Sequence, residues 1–226
     1  MPLFIPSSCV LCGSTTRENI SLCRPCQEDL PRIEHACKKC SATLEGQASV
    51  CGQCLVSPPA VDYTISAFHY ESPVDHLIAE LKFHQQLASA DIQGVLLAEH
   101  LAGVLDRKDL PDVIVPVPLH KKRLLQRGFN QSLEIARPIS KRLKIPIDYK
   151  YARRIKYTKA QMELKADERR KNIKGCFAVA SMPAYKHIVI IDDVVTTGST
   201  SDELARTLKQ AGVERVGLWT VAKAQK

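Results

Sequence analysis

Large aromatic side chains are scarce in this 226-residue chain, where Phe, Tyr and Trp make up 5% of the residues and tryptophan occurs once. Long apolar runs are absent. No stretch approaches the ~18 residues needed to cross a bilayer, so a membrane-inserted class is excluded. Ten glycines and 13 prolines are too few for a collagen-like or low-complexity chain. The N-terminal MPLFIPSSCVLC lacks the basic flank and long apolar core of a secretory signal, and on that basis a cytoplasmic location is expected. What is present is a 45% hydrophobic, 25% charged chain, enough at ~100–200 residues per domain for one full domain and a small satellite.

Cysteine is confined to one end. Eight of the nine cysteines fall in the first 54 residues, as Cys9/Cys12, Cys23/Cys26, Cys37/Cys40 and Cys51/Cys54, each pair beginning 14 residues after the last. Two thiolates separated by two residues on a tight turn can point at one tetrahedral ion, and a second pair completes a closed four-cysteine zinc site. Four pairs therefore make two structural Zn²⁺ sites. A disulfide framework would need an oxidising compartment, and a redox role would need only one such pair. Pairing consecutive turns on one ion closes the shortest loops and is preferred to a cross-braced arrangement. His35 finds no vacancy in two complete sites, and the isolated Cys176 reads as a buried free thiol. Residues 1–57 are poor in large apolar side chains, so metal ligation is expected to supply most of their folding free energy, roughly 10 kcal/mol or more per site.

Beyond Ser57-Pro58-Pro59 the pattern changes, and residues 58–226 read as a second domain of α/β type. Val61–Tyr70 reads as a strand, a helix follows Ser72-Pro73 through about His84, and another spans Leu87–Leu105. Asp112–Pro118 is a short buried strand, Gln131–Leu143 a helix, and Ile145–Tyr149 a further strand. The β-branched run His187–Asp193 suits the centre of a parallel sheet. A helix over Ser199–Ala211, ended by Gly212, leads to a strand at Val216–Ala222. Strand, helix and strand in this order describe a right-handed crossover, whose ligand site lies at the carboxyl ends of the strands.

At that end stands IVIIDDVVTTGST, Ile188 to Thr200. The two carboxylates suit sugar hydroxyls. The turn after them can cradle a phosphate with backbone N–H groups, hydroxyls and the helix dipole, with Gly198 free to take positive φ. An acidic helix cap or a plain turn would account for either half alone; joined, they describe a receptor for a ribose 5-phosphate group.

The joined pattern resembles the phosphoribosyl pyrophosphate (PRPP) signature of type I phosphoribosyltransferases. Pro116-Val117-Pro118, the basic LHKKRLLQRGFNQS (Leu119–Ser132) with its Arg127-Gly128-Phe129-Asn130-Gln131 core, and the run Thr158 to Phe177 with Gln161, Leu164, Arg169 and Asn172 extend the likeness. Together with the N-terminal double zinc ribbon they resemble the ComF family, ComFC and GntX-like proteins of DNA uptake and utilisation, over essentially the whole chain. The resemblance implies a phosphoribosyltransferase-like parallel sheet flanked by helices. Asp192 and Asp193 would bind the ribose hydroxyls, and Thr196, Thr197, Gly198, Ser199 and Thr200 the 5-phosphate of Mg²⁺-PRPP. The loop after Val115 would meet the pyrophosphate. DNA-uptake channel or helicase proteins become candidate partners.

The net charge of +8 is unevenly placed. Residues 1–119 carry 8 Lys/Arg against 14 Asp/Glu, residues 120–174 carry 18 against 5, and residues 175–226 carry 6 against 5. Eighteen cations exceed what one small ligand can contact, and a block of this density focuses a positive field. Phe129, Tyr149, Tyr151 and Tyr157 are interleaved with them, the composition of a surface for single-stranded DNA as well as that of ordinary core packing. Arg127, Arg153, Arg154, Lys156 and Lys159 are candidates to touch pyrophosphate or DNA. The transferase resemblance implies that the segment Ala152–Gly175 closes over the reacting centre and excludes water, and an electrostatic guide for DNA is an equally good physical reading of it. Whether the chain catalyses phosphoribosyl transfer is left open, because no base-recognising pocket is legible.

Overall fold

The computed structural model describes residues 7–83, 86–158, 172–179 and 185–225. The N-terminal segment contains β1 (Ser7–Ser8) paired antiparallel with β2 (Thr15–Thr16), then α1 (Arg24–Glu28) and α2 (Gly52–Val56). Both short helices take a cysteine as N-cap, Cys23 and Cys51, so each second C-x-x-C turn opens a helix.

The remaining elements are β3 (Tyr63–His69), α3 (Val74–Phe83), α4 (Leu87–Val104), β4 (Val113–Pro116), α5 (Lys121–Arg127), α6 (Gln131–Leu143), β5 (Ala152–Arg154), β6 (Phe177–Val179), β7 (His187–Val195), α7 (Ser199–Gln210) and β8 (Arg215–Lys223). Four strands form one parallel sheet in the order β3-β8-β7-β4. Successive side chains of a strand point to opposite faces, which divides β7 between two cores. Val189 and Ile191 pack with Phe68, Trp219 and the helices α3, α4 and α6. Ile188 and Ile190 pack with Leu204 and Leu208 of α7 and with Phe177. Burial on both faces is why β7 reads as a continuous apolar run. On the first face α4 and α6 meet closely at Gly94, where a Cβ would lie 2.5 Å from the Ile135 carbonyl oxygen and 2.8 Å from the Pro138 ring.

The cysteine segment is joined to this sheet. The Ile33 N–H donates to the Ala67 carbonyl (3.1 Å) and the His69 N–H to Pro31 (2.8 Å), so the linker between the two cysteine clusters covers the free edge of β3. Cys9, Ile20, Leu22 and Leu30 enter the same core as α3 and α4. Beside the metal ligation expected to supply most of the folding free energy of residues 1–57, the first cluster thus shares apolar surface with the larger body.

Four further differences from the sequence reading have local causes. The strand expected at Ile145–Tyr149 shrinks to one bridge, Ile114 with Ile147, because the Asp148 carboxylate accepts the N–H groups of Lys150 and Tyr151 (both 3.0 Å) and turns the chain away. Helix α5 was not legible because none of its residues is buried, so no apolar period marks it. It is held by its ends, where His120 Nδ1 accepts from the Lys122 N–H (3.3 Å) and Gly128 takes φ +79°. The β5–β6 ladder of three residues per strand joins distant segments and has no local signature. Finally, β7 runs on to Val195, so the two aspartates lie within that strand. His84, Lys159, Gln161, Leu164 and Arg169 lie outside the described residues, as does most of the segment expected to close over the site.

Candidate phosphate and sugar site

β4 ends at Pro116, opposite Ile191, while β8 continues beside β7 as far as Lys223. The step left by the shorter strand opens the sheet beside Asp192 and the buried Asp193, at the carboxyl ends of the strands where such sheets bind ligands.

The two carboxylates differ in surroundings. Asp193 is buried, and its Oδ2 lies 2.9 Å from Lys82 Nζ, delivered by the last turn of α3. Asp192 is partly exposed, and its Oδ1 accepts hydrogen bonds from the Ser132 hydroxyl (3.1 Å) and the Asp193 N–H (3.0 Å). Burial and the neighbouring charge of Asp193 push the Asp192 carboxyl up to about 7, against the opposing pull of Lys82. The Lys82 ammonium is held above its ordinary range: burial is the largest single influence and works against it, and the charge and hydrogen bond of Asp193 together with the charge of Asp192 outweigh burial. Lys82 was missed in the sequence reading, yet it is the one cation between residues 40 and 106.

After Val195 the chain makes the turn that starts α7. Gly198 adopts φ +75° as the N-cap, a conformation that disfavours any residue with a Cβ. Thr197 Oγ1 lies 2.9 Å from Ser199 Oγ, and the Ser201 hydroxyl donates to the Gly198 carbonyl (2.9 Å). The Thr196 carbonyl accepts from Lys223 Nζ at 2.7 Å, which anchors the turn to the end of β8. Thr196, Thr197, Gly198, Ser199 and Thr200 thus form one concave turn at a helix N-terminus, with Asp192 on one side of it.

Of the basic candidates, Arg127 and Arg154 come together with Arg123, which sequence reasoning did not single out. Arg154 is buried; one of its terminal nitrogens donates to Thr158 Oγ1 (2.5 Å), and its Nε has no partner among the described residues. Arg123 donates to the Thr158 carbonyl at 3.4 Å. Burial and the charge of Arg123 lower both Arg127 and Arg154 from their ordinary values, while Asp193 acts on Arg127, and Asp192 on Arg154, in the opposite sense. Among the described residues, no carboxylate is within ion-pair distance of these three guanidinium groups. Arg153 points the other way from β5 into solvent, and the exposed Lys156 donates to the Lys174 carbonyl (3.3 Å).

The aromatic candidates divide. Tyr149 and Tyr157 are more than half exposed, with Lys150 and Lys122 each 5.6 Å from their ring centroids. Tyr151 is buried edge-on to Tyr185, and Phe129 packs against the main core, so these two are structural.

The cysteines gather as Cys9, Cys12, Cys23 and Cys26, and as Cys37, Cys40, Cys51 and Cys54, with the sulfur atoms of each set within 4.8 Å of one another. This is the sequential pairing. The Cys51 N–H donates to Cys37 Sγ at 3.3 Å. Burial opposes ionisation of Cys9 and Cys37, but backbone N–H groups bring the two thiols down to about 6 and about 7. Four sulfurs with N–H donors aimed at them fit tetrahedral Zn²⁺, which would close each turn pair as a structural site. Cys176 is buried and donates to the Asn172 carbonyl (3.4 Å), as its isolation suggested.

The chain matches a double zinc ribbon domain over residues 1–55 and a phosphoribosyl transferase domain over residues 130–226. No helix among the described residues is long and apolar enough to cross a membrane. Competence protein F of Haemophilus influenzae is 33% identical over 227 residues, covering 98% of this chain and 99% of its own. The DNA utilization protein YhgH is 32% identical in Salmonella typhimurium, over 221 residues, and 33% identical in Escherichia coli K12, over 217 residues, covering in each case 95% of this chain and 89% of the relative. With two four-cysteine sites followed by a phosphoribosyltransferase-like sheet, the chain belongs to the ComF family of competence and DNA-utilisation proteins.

Proposed function

We propose that this protein is a cytoplasmic factor of DNA uptake or utilisation that binds Mg²⁺-PRPP at the β7–α7 turn and single-stranded DNA on the adjoining basic face. The observation that carries the reading is the pairing of a partly exposed carboxylate, Asp192, with a hydroxyl-rich turn at a helix N-terminus on the open step of a parallel sheet. The 5-phosphate would take the N–H groups and hydroxyls of residues 196–200, and the ribose hydroxyls would donate to Asp192 and Asp193. Magnesium would arrive on the pyrophosphate as part of the substrate. Arg127, Arg154 and Arg123, which have no carboxylate in ion-pair contact among the described residues, supply positive charge beside the acid pair, suited to pyrophosphate. Lys121, Lys122, Arg153, Tyr149 and Tyr157 are exposed and suit a DNA backbone and its bases. The names of its relatives support a role in DNA uptake or use.

The arginine cluster also favours a second reading, a phosphoribosyltransferase. An acceptor would attack the anomeric carbon and release its proton to solvent, the bond from that carbon to the pyrophosphate oxygen would break, and pyrophosphate would leave with the electron pair on its oxygen, its charge met by the guanidinium groups. Calorimetric titration of the zinc-loaded protein with Mg²⁺-PRPP, run beside a pyrophosphate-release assay with free bases and with single-stranded DNA, separates the readings. Saturable binding without release is expected of the first, and release of the second. Absence of PRPP binding would sink both.

A further inference from the structure

The turn over residues 196–200 is a partition between two spaces of very different size. On the acid-pair side lies a hollow of about 40 Å³, reached by Asp192 and Thr220. On the other side opens a cleft of about 710 Å³ between the second cysteine cluster and a flank of α7. The two spaces share Thr196, Thr197 and Ser199. Neither aspartate of the acid pair lines the cleft, nor does any described residue of the segment 61–172.

The cleft has a built character. One wall is Cys40, Cys54 and the Ser57-Pro58-Pro59 linker, another is Ile173 and Lys174, and the floor is the exposed flank of α7. Two carboxylates of that flank hold the walls in place: Asp202 accepts the Ala60 N–H (3.0 Å) and Glu203 the Gly175 N–H (2.6 Å). The other polar groups include the cations Lys174, Arg206 and Lys223 and the amides Gln53, Gln210 and Gln225. A primary amide offers a donor and an acceptor side by side, the pattern of a nucleobase edge, and the proline rings and Ile173 offer apolar faces. The volume lies within the ~300–1,000 Å³ of ordinary ligand sites.

Placement decides what the cleft can hold. With a sugar on the acid pair and its 5-phosphate on the turn, the anomeric carbon is on the far side from the cleft. The cleft therefore cannot receive a group that attacks that carbon. A group continuous with the bound sugar phosphate would reach the cleft through a second ester bond to the phosphate, around the turn that both spaces share. We propose that the turn accepts an internal phosphodiester: the 3′-terminal nucleotide of a single strand sits on the acid pair and the preceding nucleotide lies in the cleft beneath the second zinc ribbon. This rests on the phosphate placement given under Proposed function.

The test uses the full-length, zinc-loaded protein and two probes, ribose 5-phosphate and the dinucleotide TpT, in competition calorimetry. Ser57→Trp fills the cleft from an exposed position outside both the cysteine sites and the turn, and Gln210→Ala removes an exposed amide with little risk to folding. TpT is expected to displace ribose 5-phosphate from the unaltered protein. Its affinity should fall by about tenfold or more in Ser57→Trp and about threefold in Gln210→Ala, the effect of one lost hydrogen bond, with ribose 5-phosphate unchanged in both. Failure of TpT to compete where ribose 5-phosphate binds would overturn the proposal and leave the PRPP reading standing, and so would TpT affinity indifferent to both substitutions. If neither probe binds, the placement under Proposed function fails and the cleft proposal with it. Zinc content and melting temperature report whether Ser57→Trp has folded; if it has not, Gln210→Ala decides alone.

Discussion

Lys82→Met is the most informative single change to the acid pair. Lys82 Nζ is 2.9 Å from Asp193 Oδ2, and the side chains are only 23% and 10% exposed. Removing the ammonium leaves a buried carboxylate without its counter-charge, a loss that typically costs about 3–5 kcal/mol. In a chain of this size each kcal/mol moves the melting temperature by about 2–4 °C, so a fall of roughly 6–20 °C is expected. The double variant Lys82→Met with Asp193→Asn removes the charge along with its partner, and most of the lost stability should return. Binding should not return with it, because Asp193 is also the proposed acceptor for a ribose hydroxyl. The assay is thermal unfolding of the wild type, both single variants and the double, with Mg²⁺-PRPP titration of each folded protein. Strictly additive losses in the double variant would show that Lys82 and Asp193 do not act on one another and would refute the reasoning.

Three further outcomes are expected. Asp192 has its carboxyl raised from 3.8 to about 7 in the fold, so the stability it contributes is present at low pH and is lost as pH rises toward 7. Asp192→Asn should therefore be the more stable protein at pH 8, by on the order of 2–4 kcal/mol at about 1.4 kcal/mol per pKa unit, and close to wild type at pH 4, as read by urea titration at the two pH values. Asp192→Asn combined with Asp193→Asn should abolish PRPP binding while the affinity for a long single-stranded DNA changes little, since the carboxylates repel phosphate. Equal loss of both in a folded, zinc-loaded protein would defeat the two-surface arrangement, and the DNA affinity itself should fall steeply with salt. Cys23→Ser should reduce zinc from two ions to one by elemental analysis. It should also lower the melting temperature of the whole protein, because Leu22 beside it is part of the main core.

Much of this molecule was legible in its residues because the relevant signals are local. A C-x-x-C turn carries its own geometry, and four of them in even spacing leave sequential pairing as the short-loop solution. The β7 run is apolar without alternation because both faces are covered. Asp192, Asp193 and the turn to Ser199 are contiguous, so a single strand-turn-helix places them. Local signals also misled: Ile145–Tyr149 has strand composition, but the Asp148 side chain captures the N–H groups of the next turn. Tyr151 and Phe129 are interleaved with cations as Tyr149 and Tyr157 are, and that interleaving alone does not distinguish a ring that packs from one that is exposed.

The sequence by itself determined the C-x-x-C turns, the strands and helices that carry an apolar period, and the contiguous acidic and hydroxyl groups of the candidate site, since each depends on neighbours a few residues apart. Tertiary structure decided what depends on distant segments meeting. It brought Lys82 from α3 onto Asp193, placed Arg154 of β5 with Arg123 of α5 at Thr158, and laid residues 31–38 along the edge of β3. It also set the second cysteine cluster across from α7 to enclose a cleft. A lone lysine at residue 82 carries no pattern in one dimension; its role exists only because burial removed the water that would have screened it from Asp193.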